Sequence, residues 1–89
     1  MLKGKQALVT GSTSGIGLGI ARSLASQGAN LTLNGFGDPA EIEALRAGLA
    51  SEFGVDVAYA GADLSKPAEI ESLIRGIEAR AGAIDILVN

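Results

Sequence analysis

A chain of 89 residues, 47% hydrophobic but with only Phe36, Phe53 and Tyr59 aromatic, has room for one small domain built on an aliphatic core. It contains no cysteine and no histidine, which excludes disulfides and thiolate chemistry, removes the commonest general base, and leaves no metal site to expect. The net charge of −3 comes without any Lys/Arg cluster, and no apolar run is long enough for a signal peptide or membrane span. Neither nucleic acid nor membrane is therefore expected as a partner, and a cytoplasmic protein is.

The first strand is predicted from Gln6 to Thr10. It runs into Gly11-Ser12-Thr13-Ser14-Gly15-Ile16-Gly17-Leu18-Gly19, a turn of glycines and small hydroxyl residues. Ile16, Ile20 and Leu24 then recur at helical spacing, and Gly28 stands where a helix would stop. Strand, glycine turn and helix together present the unpaired N–H groups of a helix N-terminus to an anion. Gly11 and Gly15 would let the backbone turn and approach that anion, and Gly17 and Gly19 would let the helix lie close to the sheet or a ligand. A plain strand-to-helix turn seldom needs so many glycines.

Asn30 to Asn34 is predicted as the second strand. Asp38-Pro39-Ala40-Glu41 reads as a helix start, with Asp38 as N-cap, Pro39 in the first position and Glu41 completing a capping box. Ile42, Leu45, Leu49 and Phe53 give that helix one apolar stripe, and Gly54 ends it. Val55 to Tyr59 is the third strand. Ser65 is the expected cap of a third helix with Pro67 in its first turn, and Ile70, Leu73, Ile74, Ile77 and Ala81 form its buried stripe. Gly76 inside it suggests close packing, and Gly82 a stop. Ile84 to Val88 is a fourth strand, in which Asp85 is expected to make a local polar contact.

Alternating strands and helices give an α/β, Rossmann-type doubly wound parallel sheet with strand order 3-2-1-4. Its switch point lies between strands 1 and 4, where the glycine turn falls. Residues 1–89 are expected to be the N-terminal part of a single such domain, truncated after the fourth strand, with the apolar residues of that strand lacking a covering helix.

Gly35-Phe36-Gly37-Asp38-Pro39-Ala40 also matches the spacing of a dinucleotide fingerprint. Asp38 as N-cap would place a carboxylate where a pyrophosphate should sit, and Pro39 removes a donor, so the match is a decoy. The segment is better used as the loop after strand 2, beside an adenosine ribose. It carries no Lys or Arg to meet a 2′-phosphate, which favours NAD over NADP. Phe36 is either an ordinary loop aromatic or a cover for the adenosine. Asp63 either accepts a hydrogen bond from an adenine amino group, with the Leu64 backbone beside it, or simply enters a helix. The acids of the second and third helices are solvated faces. No catalytic constellation is visible, and the only Tyr has no Lys placed to tune it. The residues alone leave open a dehydrogenase, a binding module for NAD or another adenosine ligand without chemistry, and a methyltransferase using S-adenosylmethionine.

Thr10-Gly11-Ser12-Thr13-Ser14-Gly15-Ile16-Gly17, Asp63-Leu64 and Ile84-Asp85-Ile86-Leu87-Val88-Asn89 resemble, in order, the short-chain dehydrogenase/reductase family. The resemblance covers the whole chain. Leu2-Lys3-Gly4-Lys5 and Leu33-Asn34-Gly35-Phe36-Gly37-Asp38 are similar to a branch that oxidises a small hydroxy acid. The resemblance implies an NAD-dependent oxidoreductase that works as a homotetramer. It places Gly11, Thr13, Ser14, Gly15, Ile16 and Gly17 around the pyrophosphate and adjoining ribose. Phe36 would lie along the adenosine, Asp63 and Leu64 at the adenine, and Asn89 beside the cofactor. The family's catalytic Asn, Ser, Tyr and Lys all lie beyond Asn89, so no catalytic residue is expected among these 89.

Overall fold

The computed structural model describes all of residues 1–89. Seven elements alternate along the chain: β1 (Gln6–Val9), α1 (Gly15–Ser26), β2 (Asn30–Leu33), α2 (Pro39–Phe53), β3 (Val57–Tyr59), α3 (Pro67–Ala81) and β4 (Ile86–Val88). The strands form one sheet in the order β3-β2-β1-β4, every pair parallel, as the alternation predicts. Val9 lies level with Leu33 and with Val88, and Leu33 with Tyr59. The carboxyl ends of all the strands therefore reach one edge together, and the loops that follow them meet there.

Side chains alternate across the sheet because successive strand residues point to opposite faces. Ala7, Val9, Leu31, Leu33 and Val57 turn to one face, where Ala21 and Ala25 of α1 and Leu49 of α2 pack on them. Two alanines on the buried stripe of α1 let that helix lie close to the strands. Leu8 points the other way, against Leu73 and Ile77 of α3. Thr32 shares this second face, and Arg80 donates to its buried hydroxyl at 3.0 Å. Leu87 of β4 is 57% exposed, so this face is the less covered one.

Helix ends follow local chemistry with two departures. Asp38 accepts from the Glu41 N–H at 3.2 Å, but no returning bond from the Glu41 side chain is made, so the capping box is half formed. Lys66, not Ser65, is the N-cap of α3, and it makes no side-chain cap bond. Ser65 is instead drawn back into a turn on Asp63, described below. Both later strands are shorter than predicted. Asp85 explains one of them: its carboxylate accepts from the Gln6 N–H at 2.9 Å, the local polar contact expected of it, and its N–H donates to the Gln6 carbonyl before β4 begins. A methyl group on Gly19 or Gly76 would meet nothing within 4 Å, so neither glycine serves close packing. Ile16 is 84% exposed and stands outside the buried stripe of α1.

Candidate functional site

Between β1 and α1 the chain must reverse direction within a few residues. Gly11 and Gly15 do this with φ of +58° and +59°, the left-handed region that side chains disfavour. Ser12 is fully buried beneath the turn. Its hydroxyl donates to the Val9 carbonyl at 2.7 Å and accepts from the Asn34 N–H at 3.0 Å, fastening the turn to the end of β2. Gly17 lies against the turn from the helix side, where a Cβ would fall 2.0 Å from the Gly11 carbonyl oxygen.

With the turn fixed, the backbone N–H groups of Thr13, Ser14, Gly15, Ile16 and Gly17 find no acceptor in the chain, and Ser14 makes no side-chain cap bond. The first helical bond runs from the Leu18 N–H to the Ser14 carbonyl. A row of free donors at the positive end of the helix dipole is a cradle for a dianion. Gly11, Gly15 and Gly17 leave it without side chains that could fill it.

A cleft of about 480 Å³ opens beside this cradle. Gly11, Thr13 and Ser14 form one wall, Asn34 to Phe36 the second, and Ala62 to Ser65 the third. Six of the residues predicted for the site (Gly11, Thr13, Ser14, Phe36, Asp63 and Leu64) thus come together in one space. Gly15, Ile16 and Gly17 adjoin it along the first turn of α1 without lining it. Asn89 lines a neighbouring apolar hollow that shares Leu64.

The walls are joined by side chains bonded to backbone. Asn34 is buried, and its amide donates to the carbonyls of Ala60 and Ala62 at 2.9 and 3.0 Å, drawing the third wall to the end of β2. Thr13 Oγ1 donates to the Phe36 carbonyl at 3.0 Å, and the Tyr59 hydroxyl donates to the Gly35 carbonyl. The sequence places Asn34 at the end of the second strand and at the start of the loop that follows, and it gives Ser12 and Tyr59 no role. A buried-position polar residue closing an apolar strand was the one available signal for Asn34.

Asp63 makes a turn of its own. Its Oδ1 accepts from the Ser65 hydroxyl at 2.7 Å and the Ser65 N–H at 2.9 Å. Those bonds, the hydroxyl first, hold its carboxyl below the usual carboxylate range. Oδ2 makes no hydrogen bond within the chain, so the helix-entry turn leaves one carboxylate oxygen of this cleft-lining residue free. Phe36 is 78% exposed at the rim. On its far side a second hollow, about 330 Å³, includes Asp38 and Glu41 and no cation.

Such a site can bind a diphosphate on backbone amides and an adenosine between Phe36 and Asp63, and no histidine, cysteine, lysine or tyrosine lines it. The short chain dehydrogenase family model matches residues 5–89. The D-beta-hydroxybutyrate dehydrogenase of Cupriavidus necator is 58% identical over 100% of this chain, which covers 34% of that protein. The enzyme of the same name from Rhizobium meliloti is 49% identical over 96% of the chain and 33% of its own length. The chain therefore spans about a third of the curated relatives it matches. Among solved structures, L-sorbose reductase from Gluconobacter frateurii, complexed with NADPH and L-sorbose, superposes with a TM-score of 0.90 at 34% identity, over 99% of this chain and 33% of that one.

Proposed function

This chain belongs to the short-chain dehydrogenase family, and from that premise we propose that it is the coenzyme-binding part of an NAD-dependent enzyme oxidising D-3-hydroxybutyrate to acetoacetate. The observation that carries the reading is the row of unpaired amides from Thr13 to Gly17 beside a cleft of nucleotide size. Those amides and the dipole of α1 hold the pyrophosphate, with Gly11, Gly15 and Gly17 keeping side chains out of its way. Phe36 covers the adenosine, Asp63 Oδ2 and the Leu64 backbone take the adenine edge, and Ile16 and Asn89 border the rest of the coenzyme. When bound, NAD supplies the hydride acceptor. Residues 1–89 are the N-terminal share of one Rossmann-type domain, a reading supported by relatives about three times as long.

NAD rather than NADP is favoured by charge. The loop from Asn34 to Asp38 has no Lys or Arg, and the hollow beyond Phe36 presents Asp38 and Glu41, which would repel a 2′-phosphate. The substrate reading leans on the name shared by relatives at 58% and 49% identity. Family resemblance supports a cytoplasmic homotetramer for the complete enzyme, and no helix of the chain is long and apolar enough to cross a membrane.

The test is D-3-hydroxybutyrate-dependent reduction of NAD and of NADP by the gene product that carries this chain. Turnover with NAD at a kcat/KM well above that with NADP is expected. Equal use of both would remove the coenzyme assignment, and no turnover of this hydroxy acid would remove the substrate. Preferential binding of S-adenosylmethionine would overturn the dehydrogenase reading for the site.

A further inference from the structure

We propose that Tyr59 is a positioning residue that, together with Thr13, fixes the Phe36 loop and thereby sets affinity for the adenosine half of the ligand. The proposal rests on the coenzyme reading above. Its observation is separate: consecutive carbonyls, Gly35 and Phe36, are each held by a hydroxyl from a different element. The Tyr59 hydroxyl reaches Gly35 from the end of β3, and Thr13 Oγ1 reaches Phe36 at 3.0 Å from the glycine turn.

The loop has little else to hold it. The Phe36 side chain is largely exposed, so packing does not fix its backbone. Space around the clamp is tight at both ends. A Cβ on Gly35 would lie 2.6 Å from Thr13 Oγ1, and one on Gly61 would lie 3.2 Å from the Tyr59 hydroxyl. Small residues at these positions leave room for the two hydroxyls to reach their carbonyls. A phenylalanine at position 59 would fill the same volume and lose only the bond. Tyr59 touches neither the cradle nor the adenine edge, so its effect passes through the loop.

Removing one neutral hydrogen bond from a loop that must be ordered for binding weakens affinity about fivefold. The experiment compares Tyr59→Phe with the unaltered gene product, titrating NAD and, separately, nicotinamide mononucleotide, which lacks the adenosine. Tyr59→Phe is expected to raise Kd and KM for NAD about fivefold, leaving Kd for the mononucleotide and kcat at saturating NAD unchanged. Backbone NMR order parameters at Phe36 and Gly37 should fall with no change in the thermal midpoint. If Tyr59→Phe binds NAD as tightly as the parent, the proposal fails and the coenzyme site stands. Equal losses for NAD and the mononucleotide, with a lower midpoint, also overturn it, because they mark general loosening. If the parent itself binds no NAD, the coenzyme reading and this proposal fall together. Should Tyr59→Phe not fold, Gly61→Ala, whose Cβ would lie 3.2 Å from the Tyr59 hydroxyl, crowds the same bond from outside the cleft and decides by the same criteria.

Discussion

Gly17→Ala is the most informative single change, because one methyl group meets the backbone of Gly11 and Ser12 at the start of the turn. The new Cβ would stand 2.0 Å from the Gly11 carbonyl oxygen, 2.7 Å from its carbon and 3.2 Å from Ser12 Cα. The first of these is about 1 Å or more short of the closest approach that non-bonded heavy atoms tolerate. None of the three atoms belongs to a side chain that can rotate away, and Ser12 is anchored to Asn34. Overpacking of this kind costs about 1–3 kcal/mol, offset by up to about 1 kcal/mol because alanine favours helix over glycine. With a backbone clash of 2.0 Å at the upper end of that range, the net loss is about 2 kcal/mol, or roughly 8–16 °C of thermal midpoint in a domain of this size. Gly19→Ala is the control, two residues along the same helix, where a methyl meets nothing within 4 Å. There the propensity term acts alone and should stabilise by about 0.5–1 kcal/mol. Circular dichroism melting of the two variants reads the opposite signs directly, and NAD titration should show about tenfold weaker binding for Gly17→Ala because the turn has moved. A Gly17→Ala protein at least as stable as Gly19→Ala, with affinity intact, would refute the close packing of α1 on the turn.

Phe36→Arg places a cation at an exposed rim position beside Asp38 and Glu41; it should raise affinity for NADP relative to NAD about tenfold with little change in stability, measured by parallel titrations. Asn34→Leu keeps the volume but deprives the Ala60 and Ala62 carbonyls of their donors, and denaturant unfolding should show a loss of about 1–3 kcal/mol. Hydrogen bonds from Ser65 favour the ionised form of Asp63, so their contribution is complete above the ordinary carboxylate value of 3.8 and disappears as pH falls through the lowered one. Ser65→Ala removes the larger of the two and should move the Asp63 titration upward toward 3.8, followed by the carboxyl carbon shift in NMR; an unmoved titration would show that the hydroxyl does not set it.

The parts of this fold that could be read from letters are those decided locally. Asp38-Pro39 starts α2 because a side chain three residues away suffices to cap it, and Gly54 stops it. The glycine turn was legible because Gly11 and Gly15 adopt backbone angles that few other residues accept. Strand order followed from the alternation of elements. What escaped were contacts between loops distant in sequence. Ser12 with Asn34, Tyr59 with Gly35 and Asn34 with Ala60 are separated by more than twenty residues, and no local pattern brings them together. Ser65 was misread for a related reason: Asp63 lies two residues before it and competes for the same hydroxyl and N–H. Gly19 and Gly76 look like packing glycines in a helix, yet only the neighbouring elements decide whether anything lies against them.

The central question is whether the bare amides at the start of α1 receive a diphosphate, and an amide-resolved NMR titration with NAD answers it most directly. The Thr13, Ser14, Gly15, Ile16 and Gly17 signals should shift together and saturate with one Kd, and ADP should reproduce their movement. A separate hollow at the amino ends of β1 and β3 is lined by Gln6, Asp56, Arg46 and Arg80. Were the cradle signals to stay still while those residues moved instead, the ligand would be lodging at the opposite edge of the sheet, and the account of this turn would be wrong.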